Sequence, residues 1–319
     1  MAFLASVVLF TRRSPYWQDR AEPTAQWADS PVRLVGTPWA RTRKVSWETG
    51  FWTHGDKEGW TDDPQDDLLT TAATHMALLR NALIRGFNSI YVQAPLVRAE
   101  DLDDFVGYAL TWHAFLVSHH DDEEGMLFPD VEGVLGDDLI WGEMKAEHES
   151  FLPGLQAFKA HLTTRNSTTG LSPTTLLAIM DSFREPLEHH LHHEIDVMGA
   201  LATHPNLPAR ESLGGARAAH MLKTWGKNTV TKAGYADVLP FFLLNTDTTF
   251  EDGLWKKWPR MPQPIRWAMV NLVGMWHGSR WRFASCDASG RPRELYVFRG
   301  SGGRGGRGEN EKDGQRSEL

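Results

Sequence analysis

The residues in this chain best suited to chemistry are histidines followed four places later by glutamate. His119 and Glu123 stand in "SHHDDEEGMLFP" (118–129), and His190 and Glu194 in "HHLHHEID" (189–196). Residues four apart on a helix lie one turn above each other on the same face, so each pair presents an imidazole and a carboxylate together. Both pairs interrupt apolar stripes. Trp112, Leu116, His119, Glu123 and then Met126 or Leu127 share one face, and Phe183, Leu187, His190, Glu194 and Met198 share another. His75 falls in the row Leu68, Ala72, His75, Leu79, Leu83, and His148 in the row Trp141, Met144, His148, Phe151, Leu155. His120 and Glu124 lie about 100° round their helix, at the flank beside Val117 and Phe128.

Burying an unpaired carboxylate costs several kcal/mol, and a metal ion held by these groups removes that cost. Taken alone, His75 or His148 reads as a satisfied core histidine, and "HHLHHEID" as a polar helix face. The conjunction of two inward His-x-x-x-Glu pairs with two further core histidines points to a metal. Imidazole and carboxylate together suit iron, manganese or zinc. Thiolate ligation is excluded, because Cys286 is the one cysteine. The Glu-x-x-His of ferritin-like bundles is absent. The His-Glu-x-x-His of zinc proteases fails at both "HESFL" (148–152) and "HEIDV" (193–197). His113, His161, His189, His192 and His193 read as flank or surface positions. His120, Glu124, His193, Asp196 and Met144 are the additional or outer candidates, with Asp196 ranked below Glu194.

Four segments carry the helical period that would position these groups. They run roughly 66–91, with Asp62 or Asp63 as cap and Pro64 in the first turn; 99–127, ending at Phe128-Pro129; 138–162; and 172–202, opened by Ser172 and Pro173. Helices of this length on short connections describe an all-α, up-down four-helix bundle occupying residues 62–203. Residues 1–61, rich in Trp and Pro, read as an irregular segment draped over a neighbouring surface. Residues 204–298 read as a Trp-rich accessory region. Residues 299–319, "GSGGRGGRGENEKDGQRSEL" from 300, read as a disordered Gly/Arg-rich tail.

With 41% hydrophobic residues, the 319-residue chain buries a substantial core. Its formal charge of −8 argues against general nucleic-acid binding. A lone cysteine fits a reducing, cytoplasmic setting. The apolar run at residues 2–10 lacks the basic region of a signal peptide and is too short for a spanning helix. The apolar stretch Ile265–Trp276 reads as a helix packed on the bundle. Its alternative is membrane-surface contact by residues 264–282, where Trp267, Trp276 and Trp281 stand beside Arg266, Arg280 and Arg282.

The order His … His-x-x-x-Glu … His … His-x-x-x-Glu is carried by His75, "HHDDEEGMLFP" from His119, "EHESFL" around His148 and "HHLHHEID" around His190. It resembles the hemerythrin-like, or HHE cation-binding, family over residues 62–203. The layout is similar to that of a fungal member with an added C-terminal region. The resemblance implies a four-helix bundle holding two iron ions in a non-haem di-iron centre. His75 would come from the first helix, His119 and Glu123 from the second, His148 from the third, and His190 and Glu194 from the fourth. Oxygen-carrying members have His-x-x-x-His on the third helix; here the first of those places is Met144. One imidazole fewer leaves a coordination position open, or filled by water or by a shifted residue such as His120. Pro186 removes a backbone donor just before His190 and bends the fourth helix there.

The resemblance leaves three classes of function. A binding or sensing protein would take O2, NO, peroxide or iron itself. A di-iron oxidase or oxygenase would act on a small organic substrate, with 204–298 supplying a pocket wall. A structural bundle would hold zinc or no metal. A shell poorer in histidine and richer in carboxylate favours redox turnover or sensing over simple oxygen carriage.

Overall fold

The computed structural model describes residues 27–41, 67–164 and 171–299, and for Lys227 the backbone alone. The expectations for the N-terminal leader, for a first-helix cap at Asp62 or Asp63, and for the tail beyond residue 299 lie outside these residues. The fold is all-α; among the described residues the only β feature is an isolated bridge between Cys286 and Pro292. Among the described residues, no helix is long and apolar enough to cross a membrane.

Helix α1 spans Leu68–Gln93 and starts where the Asp67 carboxylate accepts from the Thr70 amide at 2.6 Å. Every residue from Met76 to Ile90 is buried, as in a helix covered on all sides. Residues 27–41 run along it, paired to two asparagines as if to a strand. Asn81 accepts from Val35 N–H at 2.7 Å and donates to Val35 C=O at 2.9 Å. Asn88 accepts from Val32 N–H at 2.9 Å and donates to Val32 C=O at 2.8 Å. Arg85, also buried, ties both flanks to α1 through Asp29 at 3.0 Å and Asp247 at 2.7 Å.

Helix α2 spans Leu102–Asp122 and passes into a π-helical turn, Glu123–Leu127, then into α3, Phe128–Leu135. The sequence predicts a stop at Phe128-Pro129. The wider turn, closed by Phe128 N–H on Glu123 C=O, instead sets Pro129 in the first turn of a new helix, where its missing N–H costs nothing. Gly136, at φ +65°, ends α3 with its N–H on Glu132 C=O at 2.7 Å. Helix α4 spans Gly142–Thr163, and α5 spans Pro173–Ala200 with Ser172 as its cap. Helices α1, α2, α4 and α5 pack on one another, with α4 and α5 the most extensive pair.

Helices α6 (Leu213–Thr231) and α7 (Val238–Asn245) share the core of these helices. Every residue of α7 is buried. Phe241 lies 4.9 Å from the Tyr108 ring, and Phe242 lies 6.0 Å from Phe115. Gly86 of α1 makes this approach possible. A Cβ there would stand 2.5 Å from Phe241 and 2.8 Å from Trp112. The gain in helix propensity on Gly86→Ala is about 1 kcal/mol, and overpacking two core rings costs about 1–3 kcal/mol. Net destabilisation is expected in urea unfolding; an unchanged or raised midpoint would contradict the packing described.

Residues 263–277 form a short helix, a π turn and a 3₁₀ turn. Arg266 is buried and donates to Leu243 C=O at 3.0 Å, whereas Trp267, Leu272, Met275 and Trp276 face outward. The stretch is held to the body by Arg266 together with Val270, which lies in the main core with Met269 packed against it.

Candidate metal centre

Near the end of α2, Glu123 stands three residues from His120 and four from His119, so both rings reach its carboxylate side of the helix. His119 and His120 both prove buried. Helix α4 contributes His148 and α5 contributes His190. Ligand atoms of His120, Glu123, His148 and His190 lie within 4.8 Å of one another. His148 Nε2 is 3.0 Å from His190 Nε2 and 3.7 Å from Glu123 Oε2.

The orientation of the rings is set from outside. His148 Nδ1 bonds Glu124 Oε1 at 2.6 Å, and His190 Nδ1 bonds Glu147 Oε2 at 3.1 Å. In neutral rings those Nδ1 atoms carry the protons, so the two Nε2 lone pairs face each other. Such an arrangement repels unless a cation lies between them. A carboxylate behind each imidazole is also the usual way of fixing a metal-binding tautomer. Neither His120 nitrogen has a hydrogen-bond partner, nor does Glu123 Oε2. The residues therefore fit a metal ion. Bonds of about 2.1 Å imply tetrahedral donor separations of roughly 3.4 Å, between the 3.0 and 3.7 Å observed.

Arg80 of α1 fills the other side of the centre. Its guanidinium is fully buried and meets Glu123 Oε1 at 2.8 Å and Glu194 Oε2 at 2.6 Å. Nε–H donates to His119 Nε2 at 3.3 Å, and Nη1 donates to the carbonyls of Leu191 at 3.2 Å and His190 at 3.5 Å. His119 Nε2 is also 2.9 Å from Glu123 Oε1. His119 and Glu194 thus adjoin Arg80, while His120 joins Glu123, His148 and His190. Burial and the Glu123 carboxylate push Glu194 up to about 8 against the pull of Arg80. Burial also opposes ionisation of Glu123, but His119 and Arg80 outweigh it and hold Glu123 well below the usual carboxylate range.

The structure separates the remaining candidates from this group. His75 packs on Trp258, ring centroids 6.5 Å apart, outside the cluster. Met144 is a buried core residue. Asp196 pairs with Arg41 at 2.7 Å. His193 bonds Glu147 Oε1 at 2.7 Å, with His189 3.1 Å from the same oxygen. His113, read as a flank position, is buried and stacks on Phe158. Sequence reasoning passed over Arg80 and Glu147. Arg80 had a signal: a cation within the otherwise apolar "MALLRNALIRGF" (76–87). Glu147 follows no stripe and had none.

The buried histidines give the metal-free protein an acid-sensitive fold. Burial lowers His75 and His113 to about 4 and His190 to about 3, below the ordinary 6.5. Their contribution is complete above about pH 6.5 and is lost as pH falls toward those values, because the unfolded chain binds the protons first. Glu194 works in the opposite sense with a single proton. The urea midpoint is therefore expected to fall from pH 7 to pH 4.5; a flat or rising midpoint would refute this.

The hemerythrin HHE cation-binding domain family matches residues 74–202. A fungal relative, a dimeric xanthone biosynthesis cluster protein of Cryptosporiopsis sp., is 30% identical over 246 residues, covering 76% of this chain and 88% of its own length. No solved structure matches the chain. The histidine–glutamate cluster, its carboxylate-braced imidazoles and these matches place the chain in the hemerythrin HHE cation-binding family.

Proposed function

We propose that the chain is a non-haem iron protein that binds a small ligand, O2, NO or peroxide, at the His120/Glu123/His148/His190 centre. The observation that carries this is the burial of the donors, which are between 0 and 5% exposed. Ligands of two or three atoms reach such a site through side-chain fluctuations, whereas a larger organic molecule does not touch it without a rearrangement of helices. Bound iron supplies a Lewis-acidic, redox-active position. Glu124 and Glu147 fix the imidazoles through their Nδ1 atoms.

The test is elemental analysis of the purified protein, followed by anaerobic addition of NO to the reduced form and oxygen-electrode measurement. Iron with a new visible absorption on NO addition supports the reading. Zinc alone, or no metal, defeats it and favours a structural bundle. The cluster named in the relative's description favours a second reading, an oxidase or oxygenase acting on a small aromatic substrate. Oxygen consumption that continues beyond one equivalent per iron only when such a substrate is present would select it.

A further inference from the structure

We infer that the centre holds one metal ion rather than two, and that the Arg80 guanidinium is the second cation. The inference rests on the metal-binding reading above and concerns how many ions that site takes. A guanidinium has five N–H bonds, and all of those on Arg80 are engaged. Nε–H is directed to His119, the two on Nη1 to backbone carbonyls of His190 and Leu191, and the two on Nη2 to Glu123 and Glu194. Five fixed bonds in a fully buried place leave Arg80 no easy route out of the centre.

The carboxylates are correspondingly divided. One oxygen of each faces Arg80. Glu123 turns its second oxygen, Oε2, toward His148 and so enters the cluster of four ligands. Glu194 does not: its Oε2, which lies 3.4 Å from His190 Nε2, is held by Arg80 at 2.6 Å, and the residue belongs to no group of ligand atoms close enough for one ion among the described residues. Two carboxylates that would otherwise clamp a pair of ions instead clamp an ion and an arginine.

Metal-stripped full-length protein titrated anaerobically with Fe(II), and separately with Mn(II) under electron paramagnetic resonance, decides the matter. The expected result is saturation at one ion per chain with the six-line signal of an isolated Mn(II). Saturation at two, with the signal of a coupled pair, overturns the inference while leaving the chain a metal protein. No uptake overturns the metal reading and the inference with it. Two variants check the division of the carboxylates on the same titration. Glu123→Gln is expected to weaken Mn(II) binding by more than about 100-fold, beyond the range of an outer-shell change. Glu194→Gln, whose amide oxygen still accepts from Arg80, is expected to keep one ion with a loss of about 10-fold or less. Equal losses in the two variants would overturn the assignment of Glu194 to Arg80.

Discussion

The full-length protein carrying His148→Ala and His190→Ala together is expected to lose its bound metal. These imidazoles come from different helices, α4 and α5, and meet Nε2 to Nε2 at 3.0 Å. Their removal leaves His120 and Glu123, too few donors to hold a transition-metal ion against chelation. Each ligand lost weakens binding on the order of 100-fold or more, since removing an outer partner alone costs about 10–100-fold. The intermediate case is equally specific. Glu124→Gln with Glu147→Gln keeps every ligand and removes the carboxylates on the two Nδ1 atoms. It should lower affinity by about 10–100-fold without abolishing it. Metal content after dialysis against a weak chelator measures both. Wild-type metal in the double-alanine variant would show that the ion lies elsewhere, and the outer group of Glu147, His189 and His193 would be the place to look.

The long helices and their burial were legible in the sequence because they rest on periodicity alone. Leu176, Met180, Phe183, Leu187 and His190 recur on one face of α5 and are buried there. The inward direction of His148 and His190 follows from the same argument. Three features escaped it. The π turn at Glu123–Leu127 depends on one extra residue in a turn, which no spacing rule marks. The ranking of His119 over His120 assumed one narrow ligand face, but a carboxylate at Glu123 serves both the i−3 and i−4 positions, and Arg80 takes the His119 side. His75 satisfied the stripe and still lies outside the cluster, because a stripe reports which side of a helix is buried, not which neighbour lies there. Trp258, from the C-terminal region, is that neighbour.

The same limitation hid the main source of compensation for the buried charge. The sequence argument holds that buried carboxylates require a metal. Arg80 meets part of that need within the chain, which makes its own removal a large perturbation. In the metal-free protein, Arg80→Met keeps a long unbranched side chain and deletes the charge, leaving Glu123 and Glu194, both fully buried, without their cation. Breaking a buried ion pair from one side costs about 3–5 kcal/mol. A fall of that size in the unfolding free energy at pH 7 is expected from urea denaturation. Lost packing does not account for it, since the methionine fills much of the same volume. The decisive comparison adds Glu123→Gln and Glu194→Gln to Arg80→Met. With the carboxylates made neutral, nothing charged remains to be stranded, and the triple variant should recover more than half of the loss. A single variant as stable as the wild type would mean that the guanidinium is not the counter-charge of these glutamates. A triple variant less stable than the single one would mean that Arg80 acts through its bonds to the α5 carbonyls rather than through charge. Recovery on neutralisation is the outcome that the five satisfied N–H bonds and the two short carboxylate contacts require.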